Sequence, residues 1–191
     1  MDHQVCAWAL KHELEREYHD KEWGIPVYDD TQLFEFITLE GAQAGLSWIT
    51  ILKKREGYRQ AFEGYDLLKL AQYVEAGADE RVEEIIAQFD VVKHRGKIAS
   101  VFTNAKAALA LITEYGSLSE ALWQFVDHKP VINHWQSMED VPVSTESSKA
   151  MSQFLKKRGF KFVGETICYA FQQAVGMVDD HLDGCPQKTQ V

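Results

Sequence analysis

Residues 155–176, LKKRGFKFVGETICYAFQQAVG, are the most informative stretch of this 191-residue sequence. The pattern indicates the end of a basic helix, a short turn that contains Gly159 and Gly164, and a second, apolar helix. Such a helix–hairpin–helix arrangement offers backbone N–H groups at the start of its second helix, and these groups together with the helix dipole can hold a DNA phosphate. A corner between two helices with glycine at the C-cap produces the same pattern, so this stretch alone leaves DNA binding open.

The rest of the chain follows helical periodicity almost throughout. Apolar residues from Ile98 to Ile112 recur at helical spacing, and Ser47 stands where an N-cap begins a helix. Residues 129–144 are the most loop-like, and the sequence contains no β-hairpin signature, strand–helix alternation or internal repeat. These patterns predict one all-α domain, residues 1–191, with helices over 31–45, 47–63, 67–76, 79–89, 117–127 and 147–158.

The composition excludes disordered, membrane-spanning and disulfide-rich proteins. Hydrophobic residues make up 46% of the chain and aromatic residues 12%, which excludes a disordered protein. No apolar run approaches the ~20 residues that span a membrane, and the start MDHQVCAWALKHE lacks the pattern of a signal peptide. Three cysteines, of which Cys168 lies in an apolar segment, make no disulfide framework. We therefore expect a cytoplasmic protein with no membrane association and no evident obligate protein partner.

The net charge of −9 argues against a nucleic-acid partner, because phosphate binding favours lysine and arginine. The positive charges are nevertheless clustered, in residues 53–55, 94–97 and 156–161, whereas acidic residues concentrate in 75–84 and 139–146. A basic face on an acidic protein explains this clustering, and so does a set of solvated helix surfaces without a common partner. Charge alone leaves both explanations open.

Four potential metal ligands lie near the two ends of the chain: Cys6, His19, His181 and Cys185. Two thiolates and two imidazoles suit tetrahedral zinc, and one ion bound by all four would join the N-terminus to the C-terminus. No CxxC knuckle is present, so buried thiols and ordinary histidines explain the same residues. Spacing by itself leaves the two explanations open.

Aromatic residues and one carboxylate occur together in the first quarter of the chain. Tyr18, Trp23 and Trp48 can stack on a flat, electron-poor heterocycle. The Glu40 carboxylate can accept a hydrogen bond from an exocyclic amine or offset a positive charge, and the small residues after it allow a ligand to approach closely. Tryptophans of an ordinary core beside a solvated glutamate are the competing explanation.

Five segments together closely resemble the bacterial 3-methyladenine DNA glycosylase I family, a zinc-containing branch of the helix–hairpin–helix glycosylases. They occur in the family's order and cover nearly the whole chain from Cys6 to Cys185. The resemblance implies a helix–hairpin–helix glycosylase-like bundle, with the hairpin at about residues 150–176, that removes 3-methyladenine from alkylated double-stranded DNA. The segments are YHDKEWGIP (18–26), LEGAQAGLSWITILKKRE (39–56), HRGKI (94–98), LKKRGFKFVGETICYAF (155–171) and DHLDGC (180–185).

Carried over residue by residue, the resemblance implies a pocket for a flipped base. Glu40 and Tyr18 would contact the polar edge of the adenine, and Trp48 would stack on it, so these three are the candidate catalytic residues. Trp23 and Trp8 would complete the binding surface for the substrate.

The resemblance also implies one structural zinc per chain, which would join the termini, and a DNA-binding hairpin. Four protein ligands leave zinc no open position for a catalytic water. The zinc ligands would be Cys6, His19, His181 and Cys185, and the DNA contacts would come from Lys157, Arg158, Lys161 and Gly164.

Two positions depart from the family pattern. Glu15 stands where family members often carry tyrosine, which bears on base affinity and selectivity if that tyrosine belongs to the pocket. Asp179 replaces a common asparagine, a milder change. Asp180 and Asp183 lie where many helix–hairpin–helix glycosylases place a catalytic aspartate, but the resembling family is described as lacking that role, so we assign none of the three to catalysis.

The mechanism expected from the resemblance is monofunctional hydrolysis, because no lysine is an evident Schiff-base nucleophile. Methylation at N3 makes the adenine cationic and weakens its glycosidic bond, so the enzyme flips out the nucleotide and lets water reach the sugar. A zinc-dependent deaminase is excluded, because the chain has neither of its motifs, H-x-E and P-C-x-x-C. A non-catalytic, zinc-stapled module that binds damaged DNA stays open as the alternative.

Overall fold

The computed structural model describes residues 5–189, which are helical apart from loops and one very short sheet. None of the helices in this range is long and apolar enough to cross a membrane. Short 3-10 turns lie at Ala7–Leu10, Glu63–Tyr65 and Gln124–Val126. The all-α prediction is therefore confirmed. The helices of the described range are α1 (Glu13–Lys21), α2 (Asp30–Gln43), α3 (Trp48–Ala61), α4 (Leu67–Ala76), α5 (Asp79–Gln88), α6 (Arg95–Tyr115), α7 (Leu118–Trp123), α8 (Glu146–Lys157) and α9 (Glu165–Ala174).

The predicted helix boundaries agree with the structure to within two residues for most helices, and α7 ends four residues before its predicted limit of 127. Helix α4 covers the predicted 67–76, and the Lys69 backbone N–H donates to the Asp66 carboxylate at 3.2 Å. Helices α2 and α3 each end two residues before the predicted limit. Ser47 occupies the N-cap position of α3, but its hydroxyl pairs with Thr50 Oγ1 at 2.8 Å and caps no backbone N–H.

A two-stranded parallel sheet adds a feature that the helical pattern of the sequence does not predict. β1 (Val131–Ile132) pairs with β2 (Val178–Asp179), with Val131 opposite Val178 and Ile132 opposite Asp179. Two residues are too few to show the alternation by which a strand is recognised in sequence. The pairing matters because it holds the loop 133–145 beside the segment that follows α9.

Helix α6 lies at the centre of the fold and packs against α2, α4, α5 and α7. The predicted apolar stripe is its inner face, since Ile98, Val101 and Phe102 are buried whereas Ile112 at its end is half-buried. Lys97, at the start of α6, donates its ammonium to the carbonyls of Ala42 and Ala44, at 2.9 and 2.6 Å. This contact fixes the end of α2 and the loop that leads into α3.

The turn between α8 and α9, residues 158–164, is fixed by α6 and α8. The buried Asn104 side chain accepts from the Lys161 backbone N–H at 2.8 Å and donates to the Lys161 carbonyl at 3.1 Å. The Ser152 hydroxyl donates to the Val163 carbonyl at 2.6 Å. Phe162 adopts a φ of 57°, which non-glycine residues rarely do, so these tertiary contacts hold a turn that its own sequence disfavours.

Candidate ligand pocket and metal centre

An open cavity of about 250 Å³ lies between α1, α2 and α9. It brings together all five residues for which the sequence predicts a role in base binding. It also brings in Gln43 and Gln173, to which the sequence assigns no role, and Glu15, whose membership of the pocket the sequence leaves open. The full lining is Trp8, Glu15, Tyr18, Trp23, Glu40, Gln43, Trp48, Met138, Ala170 and Gln173.

The aromatic walls of the cavity contact one another. The Tyr18 and Trp48 rings lie 5.3 Å apart, and the Trp8 and Trp23 rings lie 5.1 Å apart in an edge-to-face arrangement. Trp8 and Tyr18, at 6.3 Å, link the two pairs. Because each ring is braced by another, the cavity keeps the shape of a slot for a planar ligand without rearrangement.

Glu40 is the most perturbed acid of this cavity. It lies in the last turn of α2 and is 5% exposed, and burial raises the pKa of its carboxyl to about 8. Its side chain makes no hydrogen bond or ion pair with any described residue. The Tyr18 hydroxyl and the Trp48 indole N–H are also buried and unpartnered within the described chain. The cavity is thus lined by a carboxyl, a hydroxyl and an indole N–H group that have no hydrogen-bond partner within the described protein.

A buried carboxylate below the cavity orients one of its wall residues. Asp180 is fully buried, and its Oδ2 accepts from the Gln173 amide at 2.9 Å and from the Tyr169 hydroxyl. Its Oδ1 accepts from Asn133 at 2.7 Å and from the Trp135 indole N–H at 2.8 Å. Four donors satisfy this carboxylate, so Asp180 positions Gln173 and does not itself line the cavity.

The arginine of the first basic cluster is engaged within the protein. The Arg55 guanidinium donates to Glu35 at 3.0 Å and to Glu22 at 2.9 Å, and Arg59 donates to the same Glu35 at 2.8 Å. Although burial opposes it, the pairing with Glu35 and Glu22 raises the pKa of Arg55. This network joins α1, α2 and α3 behind the cavity, so Arg55 is not free to bind an outside partner.

The two ends of the described chain meet at a cluster of buried sulfur and nitrogen atoms. One ligand atom each from Cys6, His19 and Cys185 lies within 4.8 Å of the others. The Cys185 thiol and His19 Nε2 are 3.5 Å apart. The opposite ring nitrogen of His19, Nδ1, lies 2.7 Å from the Asp20 carboxylate, which fixes the ring with Nε2 turned toward the cluster.

His181, the fourth residue that the sequence singles out, lies beside this group but is not among the residues whose ligand atoms all lie within 4.8 Å of one another. Its ring lies 4.9 Å from that of His19, and its Nδ1 is 2.8 Å from the Asp179 carboxylate. Its Nε2 is buried without a partner in the described chain. Gly24, with a φ of 79°, admits this ring, because a Cβ at that position would lie 2.8 Å from His181 Cε1.

The chemistry of this donor set fits zinc. Both imidazoles are oriented through Nδ1 by a carboxylate, which is the usual arrangement of zinc-bound histidine. Burial and the neighbouring Cys185 together raise the pKa of the Cys6 thiol to about 12, against hydrogen bonds that lower it. The Cys6 thiol therefore holds no charge unless a cation is present, and a zinc ion would supply that cation. The unpartnered Nε2 of His181 would be its fourth donor.

Two lysines at the end of α8 and in the turn before α9 face solvent. Lys157 and Lys161 are exposed and form no ion pair with described residues. Gly164 is the N-cap of α9 and provides no side-chain cap, so the first N–H groups of this helix are unsatisfied. Arg158 is placed differently: its guanidinium stacks 3.8 Å from the Phe154 ring centroid and donates to Glu114 at 3.1 Å.

Two carboxylates that orient the candidate metal ligands can be recognised from the chain alone. Asp20 adjoins His19 and Asp179 lies two residues from His181, so a search for carboxylates beside these histidines finds both. Gln43 and Gln173 carry no such signal, since only the packing of α2 against α9 brings them to one cavity.

Comparisons with known proteins agree over nearly the whole chain. Residues 8–188 match the family model described as methyladenine glycosylase. The chain is 48% identical over 184 residues to the DNA-3-methyladenine glycosylase of Haemophilus influenzae, covering 96% of this chain and 97% of that one. It is 47% identical over 180 residues to DNA-3-methyladenine glycosylase 1 of Escherichia coli, covering 94% of each. The solved 3-methyladenine DNA glycosylase I of Staphylococcus aureus, a structure concerned with 3-methyladenine recognition, has a TM-score of 0.93 at 34% identity and full coverage (100%) of both chains.

Proposed function

This chain belongs to the methyladenine glycosylase family, and we propose that it releases 3-methyladenine from alkylated DNA through the pocket around Glu40. One observation carries the assignment of the pocket: the Glu40 carboxyl, the Tyr18 hydroxyl and the Trp48 indole N–H line it without protein partners. Buried polar groups are normally paired, so a ligand is expected to pair them. A purine offers donors and acceptors along the edge of a flat ring, which matches both the polar groups and the aromatic slot.

The positive charge of the alkylated base distinguishes it from normal adenine. In the free pocket the Glu40 carboxyl is neutral at neutral pH, because burial raises its pKa to about 8. A cationic base beside it favours the carboxylate and lowers that pKa, so binding gains charge attraction as well as a hydrogen bond from the exocyclic amine. Neutral adenine brings no charge and leaves the acid protonated, which is the physical basis of discrimination.

The bond to be broken needs little chemical assistance. When the bond between C1′ and N9 breaks, its electron pair moves onto the base and neutralises the positive charge of the ring. Water then adds to C1′ and gives up one proton. The base leaves as neutral 3-methyladenine without a general acid, so the pocket contributes by holding the base out of the stack and orienting it. No lysine is among the residues that line the cavity, which favours hydrolysis over a Schiff base.

A helix–hairpin–helix contact to the DNA backbone would place this pocket against the duplex. The unsatisfied N–H groups after Gly164 and the exposed Lys157 and Lys161 form one surface that suits a phosphate. Helix α9 connects it to the pocket, since Ala170 lies six residues from Gly164, or about 9 Å along the helix. Gly41, next to Glu40, also meets the hairpin, because a Cβ there would lie 3.2 Å from Phe162.

Base flipping would leave a gap in the duplex, and Leu46 is our candidate for the side chain that would enter it. Leu46 lies in the loop between α2 and α3 and is 40% exposed. Its loop joins Gln43 to Trp48, both of which line the pocket. Apolar side chains that enter a base step stabilise the unstacked state. Leu46→Ser should therefore slow excision from duplex DNA more than it weakens binding of the free base.

Zinc held by Cys6, His19, His181 and Cys185 would tie the start of the chain to its end. When bound, the ion would supply a structural cross-link and no open coordination position. Support comes from the orphaned His181 Nε2 and from the carboxylates that orient both imidazoles. Trp8 and Trp23 pack beside this cluster, at 5.3 Å from the His19 ring and 4.7 Å from the His181 ring, so the cross-link also braces the pocket wall.

Release of the free base from methylated DNA is the experiment that tests this function. Duplex DNA treated with a methylating agent is incubated with the protein, and free bases are separated and quantified by chromatography. We expect 3-methyladenine to appear in the soluble fraction while the DNA backbone stays intact. Tight binding of the same DNA without base release would identify a damage-binding module, and cleavage of the strand would contradict the monofunctional mechanism.

A further inference from the structure

We propose that Glu15 is a second acidic contact of the base pocket and makes selection for positively charged purines depend on two carboxyls instead of one. The proposal rests on the proposed function, because it assigns a specificity-determining residue within the same cavity. The ligand class it defines is N-alkylated purines that carry a fixed positive charge.

The position of Glu15 follows from the inner face of α1. The buried residues of this helix are Glu15, Tyr18 and His19, which lie at helical spacing on one side. Tyr18 lines the pocket beside Glu15, whereas His19, one turn after Glu15, belongs to the group of candidate metal ligands with Cys6 and Cys185. Glu15 is 8% exposed, so its side chain is enclosed with the pocket and is not part of the solvated surface of the helix.

Glu15 has no partner within the described residues. None of their hydrogen bonds or ion pairs involves its side chain. Glu35 shows what a buried glutamate of this protein looks like when its role is structural: it is 5% exposed and pairs with Arg55 and Arg59 at 3.0 and 2.8 Å. The Glu15 carboxyl, in contrast, faces the open cavity without a protein partner, where a ligand can pair with it.

Within residues 5–189, the cavity is lined by two carboxyls, Glu15 and Glu40, and by no lysine, arginine or histidine. The two acids sit in different fields, because Glu15 is in the first turn of α1, where a helix stabilises negative charge, and Glu40 is in the last turn of α2, where it does not. A cation between them gains two attractions, and a neutral base of the same shape gains neither.

A matched pair of ligands separates charge from shape. The fixed cation 3,9-dimethyladeninium and its neutral 3-deaza isostere have the same outline, and both are titrated against the protein by tryptophan fluorescence. We expect Glu15→Gln to weaken binding of the cation by about tenfold, the scale of one charge-assisted contact, and to change binding of the neutral isostere less than about twofold. Glu13→Gln, an exposed acid in the same helical turn, is the control and should change neither.

Equal affinity of the cation for wild type and Glu15→Gln would overturn the proposal, and so would an equal loss for both ligands, which indicates a role in shape. If Glu15→Gln fails to fold, Glu15→Asp is used instead, because it keeps the carboxylate and moves it away from the ligand by one methylene. We expect Glu15→Asp to weaken binding of the cation and to leave binding of the neutral isostere unchanged. The proposed function fails separately, when the wild type releases no 3-methyladenine from methylated DNA.

Discussion

Replacing Glu40 by glutamine should stabilise the folded protein although it weakens binding of the alkylated base. Burial raises the pKa of the Glu40 carboxyl from 4.5 to about 8. Below pH 4.5 the Glu40 carboxyl is protonated in both the folded and the unfolded chain, so it does not change the free energy of unfolding. Between the two values the unfolded chain ionises while the folded protein stays protonated, and stability is lost steadily as the pH rises.

The size of this effect follows from the difference between the two pKa values. Each pH unit in the window costs about 1.4 kcal/mol of unfolding free energy, so roughly 4 kcal/mol is lost between about pH 5 and about pH 8. Glutamine has the same shape and does not ionise, so Glu40→Gln avoids that loss. Because every other titrating group is present in both proteins, their contributions largely cancel in the difference between the two.

Urea unfolding at several pH values measures that difference. We expect the stability of Glu40→Gln relative to wild type to rise by roughly 4 kcal/mol from about pH 5 to about pH 8 and then to level off. Glu13→Gln, an exposed acid, should give a difference that barely changes over the same range. Parallel profiles of wild type and Glu40→Gln would refute the reasoning, because they would mean that the Glu40 carboxylate is solvated in the free protein.

Three further predictions concern zinc, DNA and stacking. The protein should contain about one zinc per chain, and Cys6→Ala should lower both the zinc content and the melting temperature. If elemental analysis finds no zinc in well-folded protein, the proposed cross-link is wrong. Lys157→Ala and Lys161→Ala should weaken binding to DNA duplexes of any sequence, and each should reduce the salt dependence of DNA binding (the slope of log K against log salt) by about 1. Arg158→Ala loses the stacking of the guanidinium on the Phe154 ring, so it should mainly lower the stability of the fold. Loss of affinity confined to damaged DNA would contradict the phosphate contact. Trp48→Ala should weaken binding of free 3-methyladenine by roughly 1–3 kcal/mol in a fluorescence or NMR titration, and an unchanged affinity would remove Trp48 from the pocket.

The sequence predicts well what depends on local pattern or on residue type. Helix α4 is predicted to the residue from its helical pattern, whereas the zinc site with Cys6 and Cys185 stays a prediction that rests on residue type. The pocket residues Glu40 and Trp48 come from a segment whose aromatic and small residues already indicate a flat ligand.

Features that depend on tertiary packing could not be predicted in this way. Glu15 enters the pocket because α1 turns its buried face inward; the family pattern draws attention to its position, but its place beside Tyr18 in the pocket appears only in the fold. Asp180 is satisfied by four donors from different parts of the chain, so its structural role appears only in the fold. Arg158 looks equivalent to the lysines beside it until its stacking on Phe154 is seen.

The most direct test of the central claim is single-turnover release of 3-methyladenine from methylated duplex DNA by wild type and by Glu40→Gln. Loss of a charge-assisted contact of about 1.5–3 kcal/mol predicts a rate lower by roughly 10-fold to 150-fold, with binding to undamaged DNA unchanged. Equal rates for the two proteins would contradict the claim that the Glu40 carboxyl recognises the alkylated base.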